Sequence, residues 1–502
     1  MSRHAFLIIV PVAERPRHLR ACLTSLREAL RRHPYPGRIR VLIADDSVSV
    51  ESIAAHRRLA AEFAAPGLEM LHFPPDEQRA LVRDLGVALP RVIGAAPRAP
   101  YGHKGQGVMR NIAYLKAAAL LRARPEPTLI WSIDSDQEFR VDVPEQDGYL
   151  IDYFGALDAL FAHHDIEALT GKVVGDPPVS PAVMMRNFLD DLLAFLAAAA
   201  THDPDAPCQH HQPLNAPPDA AYHDMAELFG IRTLPSYAYP CPLSGAHSEA
   251  AGFAHFAARA NSFFYGEHPT RVVGFQRIAP AESLQPARTV YAGNYVFRPS
   301  ALRYFIPFAP LRLRMSGPTL GRIMKSELGA RFVSANLPML HKRTVESGGQ
   351  SEFRPGIATS AQTVDISGEF ERQFYGDVML FSLERLTAAG DPCRLASAEF
   401  AQTLDQVHRD LLARYNARQA EVLERLARLK ALLDDSTQWW NQRAGLADGF
   451  RVFAANVERN FGSDAAGPTS INDPAGWRRW RAQLLAGLTH YCADRAAWMQ
   501  LL

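Results

Sequence analysis

The chain has 502 residues, with 54 Lys+Arg against 53 Asp+Glu and a formal charge of +1; 47% of residues are hydrophobic and 21% charged. At ~100–200 residues per domain this length suggests roughly two to four domains, or one enlarged α/β domain with an appendage, and the apolar content excludes wholesale disorder. A neutral chain has no global field for nucleic acid or anionic lipid, so any polyanion site must be local.

The N-terminal run Phe6-Leu-Ile-Ile-Val10 is broken by Pro11 and lacks a small-residue cleavage site, so it reads as a buried first strand and not a secretory signal. Leu19, Leu23, Leu26 and Leu30 then recur at helical spacing, ending before Pro34. IRVLIAD (39–45) is a second buried strand, LEMLHF (68–73) a weaker third, 112–122 an Ala/Leu-rich helix and TLIWSID (128–134) a fourth strand. This alternation predicts an open, mostly parallel sheet with helices on both faces, whose ligands bind beyond the carboxyl ends of the strands. Residues 201–250 are rich in Pro, His, Tyr and Ala without periodicity and read as an irregular insertion, a candidate lid. Strand character returns at 289–297 and 331–340. The apolar run Leu192 to Ala200 falls far short of the ~20 residues that cross a bilayer. Near the end, Leu404, Val407, Leu411, Tyr415, Val422, Leu426, Leu429 and Leu433 mark one face of a long amphipathic helix. Trp439, Trp440, Trp477, Trp480 and Trp498 follow as the expected core of a small helical domain, in preference to a sugar-binding platform. The five cysteines (Cys22, Cys208, Cys241, Cys393, Cys492) are widely spread without a CxxC pair. Neither a disulfide framework nor a zinc ribbon is expected, and a reducing, cytoplasmic setting is.

The strongest chemical motif is Asp134-Ser135-Asp136, which ends a buried strand. On an extended chain alternate side chains share a face, so both carboxylates point the same way and repel unless a hard divalent cation lies between them. A solvated turn is the bland alternative; carboxylates that face away from any cleft, or are locked in ion pairs with arginine, would overturn the metal reading. Asp45 and Asp46 end the second strand, where one suits a base or ribose contact and the other a helix cap. The loop Tyr101–Asn111 contains Gly102, Gly105, Gly107, Lys104 and Arg110, which suit close approach of a phosphate but match neither a Walker A loop nor a Rossmann fingerprint. His341, after a short apolar strand, suits Mn²⁺ as a third ligand beside two carboxylates. His202, Cys208, His210 and His211 form a further Cys/His group whose spacing matches no standard zinc site.

In order, the Pro11 strand, ADDS, HKGQG (103–107), DSD, AGNYVFRPSAL (292–302) and NLPMLHKRT (336–344) resemble nucleotide-sugar glycosyltransferases of the GT-A fold. Family 2 is the broad match; the motifs look most like glucosyl-3-phosphoglycerate synthase and mannosylglycerate synthase. The likeness is discontinuous and excludes the insertion and the helical C-terminus. It implies a GT-A domain over 1–395, with a nucleotide-binding half (1–150) and an acceptor half (151–395) carrying an insertion at about 200–288, then a helical domain over 396–502 that offers a face for a homodimer. It implies a cytoplasmic, Mn²⁺- or Mg²⁺-dependent enzyme that moves a hexose from a UDP- or GDP-sugar to a hydroxyl acceptor, with no nucleic-acid partner and no transmembrane segment. On matching positions, Pro11, Glu14, Asp45, Lys104, Gly105, Arg110 and Asp134 would meet the nucleotide sugar. Asp134, Asp136 and His341 would hold the metal, with Asp136 and Asp134 as the catalytic pair, and Gly171, Lys172 and Asn294 would meet the acceptor.

There are two departures. The family's Asn-Glu pair after the first strand is replaced by Glu14 one position early, followed by Arg15. The Glu-Asp pair that supplies the general base of inverting members is absent from RMSGPTLGR (314–322). An inverting displacement needs a base in reach of the attacking hydroxyl, whereas a retaining route lets the leaving diphosphate take the proton. Retention is therefore the expectation, with Glu327 or an insertion residue as the alternative base. Other readings are an inverting transferase, a sugar nucleotidyltransferase, which would carry a glycine-rich loop where VAERPRHL stands, and a degenerate nucleotide-sugar-binding scaffold.

Overall fold

The structure is a computed structural model describing residues 3–86, 88–95, 100–143, 147–211, 237–344, 354–360, 362–389 and 397–502. Its centre is a nine-stranded sheet of β1 (Ala5–Val12), β2 (Ile39–Asp45), β3 (Leu68–Phe73), β4 (Thr128–Ile133), β5 (Gln137–Glu138), β6 (Ala168–Gly175), β7 (Gln285–Pro286), β8 (Asn294–Phe297) and β9 (Phe332–His341). The order is β3-β2-β1-β4-β8-β6-β9-β5, with β7 on β9. The long pairings β1–β2, β2–β3, β1–β4 and β6–β9 are parallel; β8 runs antiparallel between β4 and β6. The sheet is thus mostly parallel, with β8 antiparallel at its middle and the short β5 and β7 antiparallel to β9, and the fold class is α/β as expected.

The first strands are fully buried because both faces are covered. Along β1, Phe6, Ile8 and Val10 pack in the cluster holding Leu19, Leu23 and Leu26 of the helix Pro16–Arg32. Leu7 and Ile9 face the opposite cluster, with Val108, Met109 and Ile112 of the helix Gln106–Ala123. Each such buried Leu or Ile stabilises the fold by about 1.5–3 kcal/mol, and the period-2 alternation fixes the register. The chain leaves β1 toward β2 on one side and returns through β4 on the other. That reversal opens a crevice at the strands' carboxyl ends, where open α/β sheets bind ligands.

Two expectations change. The strand expected at 289–297 is only Asn294–Phe297, because the chain before it forms the cavity wall described below. The insertion is not without regular structure: Glu249–Arg259 is an α-helix capped by Ser248 and continues as a 3₁₀ turn, Ala260–Tyr265. The expected irregularity at 212–236 lies outside the described residues. The long helix is Ser397–Asp434, with the eight expected apolar positions buried. Trp440 and Trp498 are fully buried, while Trp439, Trp477 and Trp480 pack at the edge of the same cluster. Among the described residues no helix is long and apolar enough to cross a membrane. Cys22, Cys208 and Cys241 are free thiols, but Cys492 is disulfide-bonded, which departs from the expectation of reduced thiols throughout; Cys393 lies outside the described residues.

Candidate active site

A cavity of about 970 Å³ opens at the carboxyl end of the sheet, lined by Pro11 and Arg15 after β1, Asp46, Gly105–Gly107, Asp134–Asp136, Thr170–Val174 of β6 and His341. Nine arginines and Lys172 line it against four carboxylates, Asp46, Asp134, Asp136 and Glu369. The helix Gln106–Ala123 also starts there, adding unpaired N–H groups and its positive end. The cavity is therefore built for an anion of several charges.

The Asp-x-Asp segment is a turn and not an extended strand: Gln137 N–H donates to Asp134 O at 3.2 Å, and Gln137 Oε1 accepts from Asp134 N. The two carboxylates consequently take different partners. Asp134 Oδ1 accepts from Arg110 Nη2 at 2.5 Å and from Gln106, and Arg110 also donates to Ser132. On Asp136, Arg15 Nη1 at 3.2 Å and His341 Nε2 and Arg343 Nη1 at 3.6 Å all converge on Oδ2. Burial pushes the Asp136 carboxyl up, but His341, Arg15 and Arg343 outweigh it and hold the group well below the ordinary carboxylate range. Burial and the neighbouring Arg343 and Arg15 conversely push the Arg354 guanidinium well down. This corner is short of negative charge.

The residues fit a divalent ion in part. His341 Nδ1 donates to the Asp176 carbonyl at 2.6 Å, which fixes the tautomer and leaves Nε2 facing Asp136, the support that metal-bound imidazoles ordinarily have. Asp134 does not join them: Asp134, Asp136 and His341 are not among the groups of three whose ligand atoms lie within 4.8 Å of one another. Its ion pair with Arg110 is the arrangement expected to overturn a shared metal site, and Asp136 has the same feature through Arg15; what Asp136 keeps is the histidine beside it.

Several other expected contacts are redirected. Asp45 is fully buried away from the cavity, its Oδ2 accepting from His56 at 3.0 Å and His72 at 2.9 Å and its Oδ1 from Ser47 N. Burial pushes its carboxyl up, yet these hydrogen bonds hold it below the usual range. Asp46 faces the cavity instead, accepting from the backbone of Lys104 and Gly105 and from Lys104 Nζ at 2.6 Å. Lys104 is thereby turned inward, over the Tyr101 ring, and does not line the cavity. Glu14, at φ +54°, is a clamp: its Oε1 accepts from Val48 N, Ser49 N and His103. It too is absent from the lining, whereas its neighbour Arg15 is present. Gly105, at φ +95°, supplies the left-handed turn into the helix.

On the acceptor side, Gly171 and Lys172 line the cavity at a break in the β6–β9 register, and Lys172 enters no ion pair among the described residues. Asn294 does not line the cavity. It is buried, donates to Lys172 O and Leu337 O at 2.8 Å each and accepts from Trp131 Nε1 at 3.0 Å. A Cβ at residue 171 would lie 2.3 Å from its amide nitrogen, which explains the glycine. Glu327 is tied to Tyr304 and Arg495, outside the cavity, and Glu369 is paired with Arg314. Arg288, Arg312, Arg354 and Arg372 also line the cavity but carry no recognisable sequence signal, because they come from loops and a helix with no pattern of their own.

No protein-family model matches the chain, and no curated protein matches it in sequence. Among solved structures it is similar to a mannosyltransferase from Pyrobaculum calidifontis in complex with GDP-Man and Mn²⁺, at 11% identity, over 98% of this chain and 88% of that one, with a TM-score of 0.36. It is also similar to mannosyl-3-phosphoglycerate synthase from Rubrobacter xylanophilus, at 12% identity over 68% and 67% of the two chains, TM-score 0.28. A third is core-mannan synthase A from Aspergillus fumigatus in an Mn/GDP form, at 11% over 63% and 65%, TM-score 0.23. Likeness at this level decides nothing about this chain's activity.

Proposed function

We propose that the protein is a GT-A-type glycosyltransferase that moves a hexose from a nucleoside diphosphate sugar to a hydroxyl acceptor. The observation that carries this reading is the Asp136–His341 pair, set in a cation-rich cavity at the reversal point of the sheet. Asp136 and His341 would hold Mn²⁺ or Mg²⁺, the remaining positions being left to phosphate oxygens and water. Such an ion supplies Lewis-acid stabilisation of the departing diphosphate. Arg15, Arg343 and Arg354 surround the same corner and would share the diphosphate charge, relieving their crowding around one carboxylate. Asp46 keeps the 103–107 loop closed down on the cavity by three hydrogen-bonding contacts, so that Gly105 presents backbone and no side chain. Lys172 and Gly171 would meet the acceptor.

Retention is the favoured outcome within this reading. Among the described residues, the carboxylates lining the cavity are each engaged by a cation: Asp46 by Lys104, Asp134 by Arg110, Asp136 by Arg15 and Glu369 by Arg314. That leaves no ready base for an inverting attack. The test is a panel of UDP- and GDP-hexoses incubated with the protein in Mn²⁺, Mg²⁺ or chelator, with released nucleoside diphosphate as the readout. Metal-dependent release from at least one donor is expected, and anomeric proton signals of the product report retention. Pyrophosphate release from a nucleoside triphosphate and a sugar phosphate, without donor cleavage, would overturn the reading.

A further inference from the structure

The Cys/His group noted in the sequence is divided in the fold. His202 and His210 turn to Glu249, whose Oε1 accepts from both at 2.9 and 2.6 Å while Oε2 accepts from Gln209 N. That trio is complete as a hydrogen-bonded network. Cys208 and His211 instead meet Cys241 and His247 from beyond residues 212–236, and the four ligand atoms all lie within 4.8 Å of one another.

Three features make this a built arrangement. Both sulfurs are buried, and they sit over Gly252 in the first turns of the helix Glu249–Arg259, where a Cβ would lie 2.7 Å from Cys208 Sγ. The two segments are held by backbone bonds, Cys208 N to His247 O at 3.0 Å and Cys241 N to His210 O at 2.8 Å. His247 Nδ1 donates to the Gly245 carbonyl at 2.9 Å, which leaves Nε2 as an acceptor facing the Cys241 thiol, 3.4 Å from Sγ. That spacing is close to the ~3.6 Å expected between S and N of a tetrahedral zinc with Zn–S near 2.3 Å and Zn–N near 2.0–2.1 Å.

We propose that Cys208, His211, Cys241 and His247 form a structural zinc site, closed by four protein ligands and separate from the sheet-end cavity. None of the four lines that cavity. A Cys₂His₂ donor set prefers zinc over Mg²⁺ or Mn²⁺, and four protein ligands leave no open position for catalysis. Binding releases the two thiol protons, and two thiolates neutralise the ion, so the site adds no net charge. Its role is to staple 207–211 and 241–248 to the start of the helix whose Phe253 and Phe256 pack on Phe195 and Phe450.

The test is elemental analysis of the full-length protein purified without chelator. About one zinc per chain is expected. Cys208→Ser and His247→Ala should each bring it near zero, while His341→Ala in the cavity should leave it. Because the cysteine variants have a route to misfolding, the wild-type chain is also exchanged with cobalt, where thiolate-to-cobalt charge transfer and tetrahedral visible bands are expected. Zinc-free protein without those bands, zinc retained in Cys208→Ser, or a Cys208–Cys241 disulfide in non-reducing peptide mapping would each overturn the proposal.

Discussion

Replacing Asp136 by Asn keeps the volume of the side chain and removes its charge, which separates the metal reading from a purely structural one. In the folded chain the carboxylate lies 3.2 Å from Arg15 and 3.6 Å from Arg343. At an effective dielectric constant near 20, a unit pair at 3.2 Å interacts by about 5 kcal/mol, and slightly less at 3.6 Å. Desolvation offsets much of that, so breaking the cluster should cost about 3–5 kcal/mol of stability, the usual result of stranding a buried charge. If Asp136 is also a metal ligand, Mn²⁺-dependent donor cleavage should fall by ~10²–10³, about 3–4 kcal/mol of transition-state stabilisation. The assay is calorimetric titration of a nucleoside diphosphate with and without Mn²⁺ on folded wild-type and Asp136→Asn protein, beside donor turnover. Wild type should bind more tightly with Mn²⁺, and the variant should lose that increment. An Asp136→Asn protein that keeps the full Mn²⁺-dependent increment refutes the ligand assignment, whatever its stability.

Three further outcomes are expected. Asp377 is fully buried, and burial raises its carboxyl from the ordinary 3.8 to about 7 despite hydrogen bonds from Tyr415 and Gln373. The folded state therefore keeps a proton that the unfolded state loses between these values. Stability falls as pH rises through that window, by about 4 kcal/mol in all, and is flat above it. Asp377→Asn should remove this slope in thermal melts from pH 4 to 8, relative to wild type. Asn294→Ala strands Lys172 O, Leu337 O and Trp131 Nε1 and should lower stability by about 3–5 kcal/mol in denaturant titration. A large rise in acceptor KM in a stable Asn294→Ala protein would contradict its role as a clamp. Lys172→Ala should raise acceptor KM by ~10-fold or more while leaving donor KM unchanged, if the acceptor is anionic and the lysine supplies one charge-assisted hydrogen bond.

The parallel part of the fold was legible because β1, β2 and β4 are buried on both faces, and that environment writes continuous apolar runs such as FLIIV and TLIW. The two-residue strands β5 and β7 carry no such pattern. For the site, the positions at strand ends were legible but the directions of their side chains were not. Asp134 and Asp136 lie in a turn, so the two-residue spacing that aligns side chains on a strand does not apply. Asp45 turns away from the cavity and Asp46 toward it because Asp45 is held by two histidines, His56 and His72, each alone an ordinary residue in its own segment. Neighbours in sequence misled most in the Cys/His region: His210 and His211 belong to different groups, and their partners lie across a long stretch of chain.

The aromatic seam between the middle and the end of the chain has a practical meaning for anyone dissecting the molecule. Phe188, Phe195, Phe253 and Phe263 interlock with Phe450 and Phe453, and Trp498, four residues from the terminus, donates to Leu302 O at 2.8 Å and packs on Phe305. Ile306, the next residue, is bonded to Asn111 and forms part of the cavity wall. A shortened version ending near 395 would therefore be left with a greasy, unroofed flank and a loosened wall. The tail is a buttress, and a lesion at its far end should register in the pocket as surely as one beside it.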